Sequence, residues 1–452
     1  MLGRIRFRPM RFGRMPVDRE ILRLAVPALG ALVAEPLFLL ADSAMIGHLG
    51  AAPLAGLGIA SAVLQTIVGL MVFLAYGTTP AVARRLGSGD EKSAVAAGVD
   101  GVWLALALGI LLAVAGWFAS PWLVELFRAD APVAVQASAY LTVSMLGLPA
   151  MLLVYAATGL LRGLQDTRTP LAVAAIGFGA NIVLNAVFIY GLQLGIVGSA
   201  VGTVVAQWGM VAVYLVVIVR HARLAGASLL PKHAGIRSAA WAGGWLLVRT
   251  ASLRAAMLLA VFVATRLGSH ELAAFQVAMT TFATIAFALD ALAIAAQALI
   301  GRALGAADVQ HVHAVLTRCL QWGVASGAVL GVVLAALSPV AGHLFTSDPI
   351  VLDLLPPAML IVAIGAPLGG YVFVLDGVLI GAGDARYLAW TGIVNLAAFV
   401  PLAVAAWAFS PSDAAGLSWL TAAFALGYIG ARAVTLGIRS RRGRWMVTGA
   451  VR

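Results

Sequence analysis

The segment ARRLGSGD (residues 83–90) returns as GRALGAAD at residues 301–308, an offset of 218 positions. Within it Arg84, Leu86, Gly87 and Asp90 become Arg302, Leu304, Gly305 and Asp308. Working outward at the same offset, His48-Leu49-Gly50 matches Arg266-Leu267-Gly268, and Leu54-Ala55 matches Leu272-Ala273. Further on, Leu126-Phe127 becomes Leu344-Phe345, and Gly147 and Pro149 become Gly365 and Pro367. Gly163, Asp166 and Arg168 become Gly381, Asp384 and Arg386. Residues 48–168 therefore read again over 266–386 without a gap. A fixed offset held over that length means two copies of one structural unit. In a membrane chain, duplication is the usual build of a secondary transporter, with the substrate path expected between the copies.

Composition places the chain in a membrane. Apolar residues are 62% of 452 and charged ones 10%, against about 25% charged in a soluble domain. A soluble fold of this size could not cover its surface with so few charges. The single cysteine, Cys319, excludes an intrachain disulfide, and seven scattered histidines (His311 and His313 alone are too few) show no metal-ligand spacing. No metal site and no cofactor is expected. The net charge of +11 could suggest nucleic acid, but the basic residues fall in loops and tails between apolar spans. That pattern is an orientation signal, and no nucleic-acid partner is expected.

About 20 apolar residues cross the hydrocarbon layer. Twelve spans are placed at 21–47, 53–82, 94–118, 135–161, 170–191, 195–219, 246–266, 270–301, 312–340, 354–382, 387–409 and 416–437. The fold class is thus an all-α polytopic membrane protein, with twelve helices in two pseudo-symmetric six-helix bundles. A basic tail (1–20) carries Arg4, Arg6, Arg8, Arg11, Arg14 and Arg19. A first lobe follows at 21–221, then a connector at 222–236, a second lobe at 237–438 and a second basic tail at 439–452. Loops holding Arg84, Arg85, Lys92, Arg162, Arg168, Arg220, Arg223, Lys232 and Arg237 would face the cytoplasm, whereas the opposite loops hold little beyond Arg128 and Arg266. Both termini are expected on the cytoplasmic side of a plasma (cell) membrane. Six spans per copy is an even number, so both copies enter with one orientation.

Ionisable side chains inside spans are costly and usually functional. Asp42 lies in the outer part of span 1, and its repeat partner is Ala260. A fold that repeats while the charge does not points to function. Glu35 is seven residues earlier, on the same helix face, either as a relay to Asp42 or as lining of a wet cavity. Pro27 and Pro36 make span 1 the helix expected to bend, although static proline kinks are common. Asn181 and Asn185 are four apart on span 5 at the depth of Asp42, where Tyr140 and Thr203 also enter. Such a set could bind a proton or a small hard cation such as Na⁺. Taken singly, each of these polar groups is more often an interhelical hydrogen bond. In the second copy, Asp290 and Gln297 share a face of span 8, and Asp376 stands where the first copy has Thr158. These three are candidates for substrate attraction or gating, while Asp100, near the inner interface, is read as snorkelling or capping with no role in transport.

The stretches ADSAMIGHLG (41–50), APLAGLGIA (52–60), LRGLQDTRTPL (161–171), LNAVFIYGLQLGIVGSA (184–200) and LDGVLIGAGDAR (375–386) resemble multidrug and toxic compound extrusion (MATE) transporters, DinF-type branch. The resemblance covers nearly the whole chain. It implies two six-helix lobes and outward export of drug-like, often cationic or amphipathic compounds in exchange for inward H⁺ or Na⁺. It also implies that Asp42 carries the coupling ion, with Tyr140, Asn181 and Thr203 around it. Two positions depart from the pattern: Asn185 and Gln297 stand where relatives often have an aspartate and a glutamate. The first departure removes negative charge available to a metal ion and favours protons.

Two other readings compete. A flippase for lipid-linked sugar precursors would need an arginine-lined cavity, and Arg249 and Arg254, near the inner end of span 7, are the residues considered for it. An embedded enzyme finds no paired metal motif, nucleophile elbow or nucleotide loop in its support. A transporter acting as a monomer on small organic substrates within the lipid bilayer, and not an enzyme, is the expectation.

Overall fold

A computed structural model of the chain describes residues 16–410 and 412–450. The arginines at 4, 6, 8, 11 and 14 of the basic tail lie outside the described residues. Every regular element among the described residues is helical. Eleven helices are long and apolar enough to cross a membrane, and a bent pair makes the twelfth. In chain order they are α1 (Pro16–Gly47), α2 (Ala51–Gly87), α3 (Glu91–Glu125), the broken α4, α5 (Arg168–Gly191), α6 (Gly195–Ala225), α7 (His233–Leu267), α8 (Ser269–Gly305), α9 (Val309–Leu344), α10 (Pro349–Gly381), α11 (Ala385–Ala408) and α12 (Asp413–Arg441). The two parts of α4, Ala131–Met145 and Leu148–Gly163, meet at 50°. The break falls at Gly147-Leu148-Pro149, where a proline suits the first turn of the second part and cannot donate to the turn before it.

The repeat seen in the sequence has a backbone cause at its ends. Gly50 (φ +124°) and Gly268 (φ +148°) occupy equivalent turns, between α1 and α2 and between α7 and α8, in a conformation costly to other residues. Asp90 and Asp308 are equivalent N-caps, each accepting a backbone N–H three residues on, from Ser93 and from His311, at 2.9 Å. The interior repeats as well. A side chain at Gly109 would strike Pro149, and one at its counterpart Gly327 would strike Ala366 and Pro367. Small residues here let helix backbones touch, which in lipid replaces the missing hydrophobic drive between helices. In the first copy α2 and α3 pack on α4; in the second α8 and α9 pack on α10.

The chain divides into two compact units, residues 26–243 and residues 16–25 with 244–450. The boundaries fall within α1 and α7 rather than in loops. In the first unit the start of α7 is tied down: Asp100 accepts the N–H of Lys232 at 2.8 Å, and the Trp103 indole donates to the Leu229 carbonyl at 3.0 Å. Asp100 is thus a cap, supplied by another helix. In the second unit the start of α1 is held by Asp18, which is ion-paired to Arg318 on α9. Positions 100 and 318 are equivalent in the repeat, so one site on the third helix of each copy pins the first helix of the other. Leu111, Val114 and Phe118 on α3 stay exposed, as expected of a face turned to lipid.

Candidate functional site

Asp42 is 2% exposed, inside the first unit. Three side chains donate to its carboxylate. Ser199 reaches Oδ1 at 2.5 Å, the Asn185 amide reaches Oδ1 at 3.0 Å, and the Tyr140 hydroxyl reaches Oδ2 at 3.4 Å. Asn185 also donates to Ser199 at 3.3 Å, and Asn181 donates to Thr203 at 3.0 Å. Asp42, Tyr140, Asn185 and Ser199 therefore form one bonded cluster, with Asn181 and Thr203 paired beside it on the same two helices as Asn185 and Ser199. The carbonyl oxygens of Asn181 and Asn185 are buried and have no hydrogen-bond partner among the described residues. Two orphaned acceptors are costly in a dry interior.

Local sequence explains the assembly. Asn181 and Asn185 are one turn apart on α5, and Ser199 and Thr203 one turn apart on α6, so each helix presents a polar pair on one face. Gly198 and Gly202 let α6 approach α5 closely: a side chain at Gly198 would meet the Phe188 carbonyl, and one at Gly202 would lie 2.1 Å from Asn185 Oδ1. Directly after Asn185, residues Val187–Gly191 turn as a π-helix, and there Tyr190 donates to the Met45 carbonyl at 2.7 Å. That bond ties the end of α5 to α1 one turn from Asp42. Ser199 was missed in the sequence reading; its four-residue spacing from Thr203, mirroring that of the asparagines, was the available signal.

Gly202→Ala follows as a test. The added methyl forces the Asn185 amide to turn, removing one of three donors to a charged group, worth about 1.5–3 kcal/mol. Export should fall roughly tenfold or more while the purified protein still melts cooperatively. Unchanged export would mean that the Asn185–Asp42 bond has no part in transport.

Glu35 does not join the cluster. It is half-buried with no hydrogen-bond or ion partner among the described residues, and it lies about 10 Å along the α1 axis from Asp42. Pro27 and Pro36 both stand inside α1, which runs through them as one helix.

The second unit holds a different arrangement. Asp376 is not a free acid able to attract a cation. Arg249 of α7 grips both its carboxylate oxygens, and Arg432 of α12 stands 3.3 Å from Oδ1. These residues line a narrow cleft with Thr391, Asn395 and Tyr428 among its walls. Arg432, within the twelfth span, is the arginine that the sequence reading overlooked; Arg254 is exposed and absent from the cleft. Asp290 is half-buried and Gln297 buried on α8, and neither lines it.

Comparison with known proteins agrees on one family. The MatE family model matches twice, over residues 27–187 and 250–407, once in each copy of the repeat. The chain is 29% identical to Protein DETOXIFICATION 43 of Arabidopsis thaliana over 454 residues, covering 87% of this chain and 85% of that one. It is 28% identical to DNA damage-inducible protein F of Escherichia coli over 376 residues, covering 81% of each. The structure overlays on the bent form of the Vibrio cholerae MATE transporter VcmN with a TM-score of 0.86 at 20% identity, over 96% of this chain and 98% of that one. The chain belongs to the MatE family, whose members are multi-pass membrane transporters and not enzymes.

Proposed function

We propose that the protein is a secondary antiporter that exports drug-like organic compounds in exchange for protons taken up at Asp42. The observation that carries the reading is the buried Asp42 carboxylate, held by Tyr140, Asn185 and Ser199 within the first unit. An enclosed acid with no repeat counterpart is expensive to keep unless its charge changes during the cycle. Its surroundings favour a proton over Na⁺. The groups facing the carboxylate are N–H and O–H donors, whose hydrogens would oppose a metal ion. Oδ2, held among the described residues by the 3.4 Å contact from Tyr140 alone, is the oxygen most open to a proton. The orphaned carbonyls of Asn181 and Asn185 supply acceptors for water or for reversed hydroxyls once Asp42 is neutral. A Na⁺ site would use the same oxygens after the hydroxyls turned round.

In this reading protonation from outside releases the donors on Asp42 and allows α1 to bend at Pro27 or Pro36. Substrate then leaves, and proton loss to the inside resets the lobe. Coupling requires only that proton and substrate favour different states. The protein would act as a monomer in the cell membrane with both termini in the cytoplasm. Neutralised by arginine, Asp376 lends no support to a cationic substrate class.

Efflux from proteoliposomes under separately imposed gradients tests the reading, with a panel of organic cations and anions as cargo. A pH gradient alone should drive concentrative export, collapsing on addition of a protonophore, and a Na⁺ gradient alone should not. Export driven by Na⁺ at fixed pH would transfer the same site to sodium.

A further inference from the structure

We infer that the cleft between α7, α10, α11 and α12 is an anion-binding subsite that seats a carboxylate or phosphate group, with Arg432 as its principal contact. The charges within the cleft are Arg249, Arg432 and Asp376, two positive and one negative. The positive excess is not shared evenly. Arg249 takes both oxygens of Asp376, so these two form a closed pair. Arg432 is left with one 3.3 Å contact to an oxygen already engaged, and that is its guanidinium's one hydrogen-bonding or ionic partner among the described residues. A guanidinium carries five N–H donors and no acceptor. Arg432 is 8% exposed, and beyond that contact its donors have no protein acceptor among the described residues and open onto the cleft.

The neighbouring walls repeat this polarity. Asn395, 3% exposed, uses its carbonyl oxygen to accept from Thr435, which leaves its amide N–H₂ as a donor with no partner among the described residues. The Tyr428 hydroxyl, 2% exposed, likewise has no hydrogen-bond partner there, although its ring is stacked on Phe424. Tyr428 closes the π-helical turn Ala423–Tyr428 that sets Arg432 one turn further along α12. Thr391 spends its hydroxyl hydrogen on its own helix. Three buried donor groups, one of them charged, converge on a space with a net positive charge.

A buried Arg–Asp–Arg triad can be purely structural, but such triads are retained when every donor is satisfied. Here the free donors of one arginine, one amide and one phenol have no protein acceptor among the described residues. An oxyanion with two or three oxygens would satisfy them together, and a guanidinium matches the geometry of a carboxylate or phosphate. A cation would meet the Arg432 guanidinium and the Asn395 amide in a cleft of net positive charge, with only hydroxyl oxygens to accept from it. The cleft is narrow, so it would take the charged end of an amphipathic compound rather than the whole of it. This deepens the export reading by naming the substrate's charge, and it depends on that reading only for the direction of movement.

The test is equilibrium binding to the full-length protein in phosphatidylcholine nanodiscs at neutral pH, with 1-naphthoate and 1-naphthylmethylammonium as a pair alike in shape and opposite in charge. Naphthoate should bind at least tenfold more tightly. Arg432→Gln should weaken naphthoate by about tenfold or more, and Arg432→Lys should restore part of the loss. Asp376→Asn, which removes the countercharge, should tighten naphthoate severalfold. Preference for the ammonium, failure of both probes to bind, or naphthoate binding unaffected by Arg432→Gln would each overturn the proposal. The charge comparison on the unsubstituted protein keeps the test valid if a variant does not fold. Adding phosphatidylglycerol to the discs distinguishes the sources: competition with naphthoate assigns the subsite to a lipid headgroup, and its absence assigns it to a free organic anion. No gradient is applied, so a failure of proton coupling leaves this result untouched, and a failure here leaves coupling standing.

Discussion

Asp42→Asn should abolish coupled export and leave the fold intact. The substitution keeps the shape of the side chain, and the Tyr140 and Ser199 hydroxyls can each reverse from donor to acceptor to meet the new amide. The variant should therefore melt within a few degrees of the parent. What it removes is the ability to change charge. In cells lacking other pumps, accumulation of transported compounds should rise to the level of cells without the protein, and proteoliposomes should show no export under a pH gradient. The geometry argues for so large an effect because the carboxylate is the shared acceptor of helices α4, α5 and α6 as seen from α1. Changing its charge changes every bond in the cluster at once. Accumulation equal to that of the parent protein would remove Asp42 from the mechanism.

The second large effect is expected at the other end of α1. Asp18 (1% exposed) and Arg318 (6% exposed) form a doubly bonded ion pair, in which Arg318 Nη2 lies 2.7 Å from Oδ2 and Trp322 adds an indole bond of 2.9 Å to Oδ1. Arg318 also donates to Gln321 at 2.7 Å. Asp18→Ala leaves a buried guanidinium without its counter-ion, which costs about 3 kcal/mol. The melting temperature of the purified protein should drop by several degrees. Arg318→Met in the same chain should recover much of the loss, because replacing both partners of a buried pair with apolar groups is often close to neutral. Single variants as stable as the parent would show that the pair sits in water. Asp18 is packed in the unit of residues 244–450, while Asp42, on the same helix, is buried in the unit of residues 26–243. Loosening the pin should thus also slow export in variants that remain folded.

Much of the architecture was legible in the chain. The twelve spans follow from apolar runs of membrane-crossing length. The duplication follows from residues whose reasons are local: glycines at turns with positive φ, N-capping aspartates, and glycine–proline pairs where helix backbones touch. Such features survive in both copies because the backbone demands them. The break in α4 was not anticipated, since Gly147 and Pro149 read as part of one apolar run, although both recur in the second copy. The helical boundary of the connector was also shorter than read: α6 runs to Ala225 and α7 begins at His233.

The candidate site was legible in part. Asp42, Asn185 and Tyr140 were found by depth and charge, because an acid at membrane depth is rare enough to mark itself. Ser199 was not, because a serine in a membrane helix is ordinary until its partner is known. Glu35 shares the face of Asp42 by helical spacing, yet two turns of rise separate them, and face does not imply contact.

The sequence by itself determined membrane residence, the helix count and the doubling, all of which depend on local hydropathy and backbone preference. Only the tertiary structure decided what the charges mean. Asp376, alone in its span, reads as an anion waiting for a cation; Arg249 and Arg432, brought from 127 residues upstream and from the last helix, reverse that sign. The reason is physical: hydropathy is summed along the chain, whereas the electrostatic character of a buried group is set by neighbours within a few ångströms, which in this fold come from distant helices.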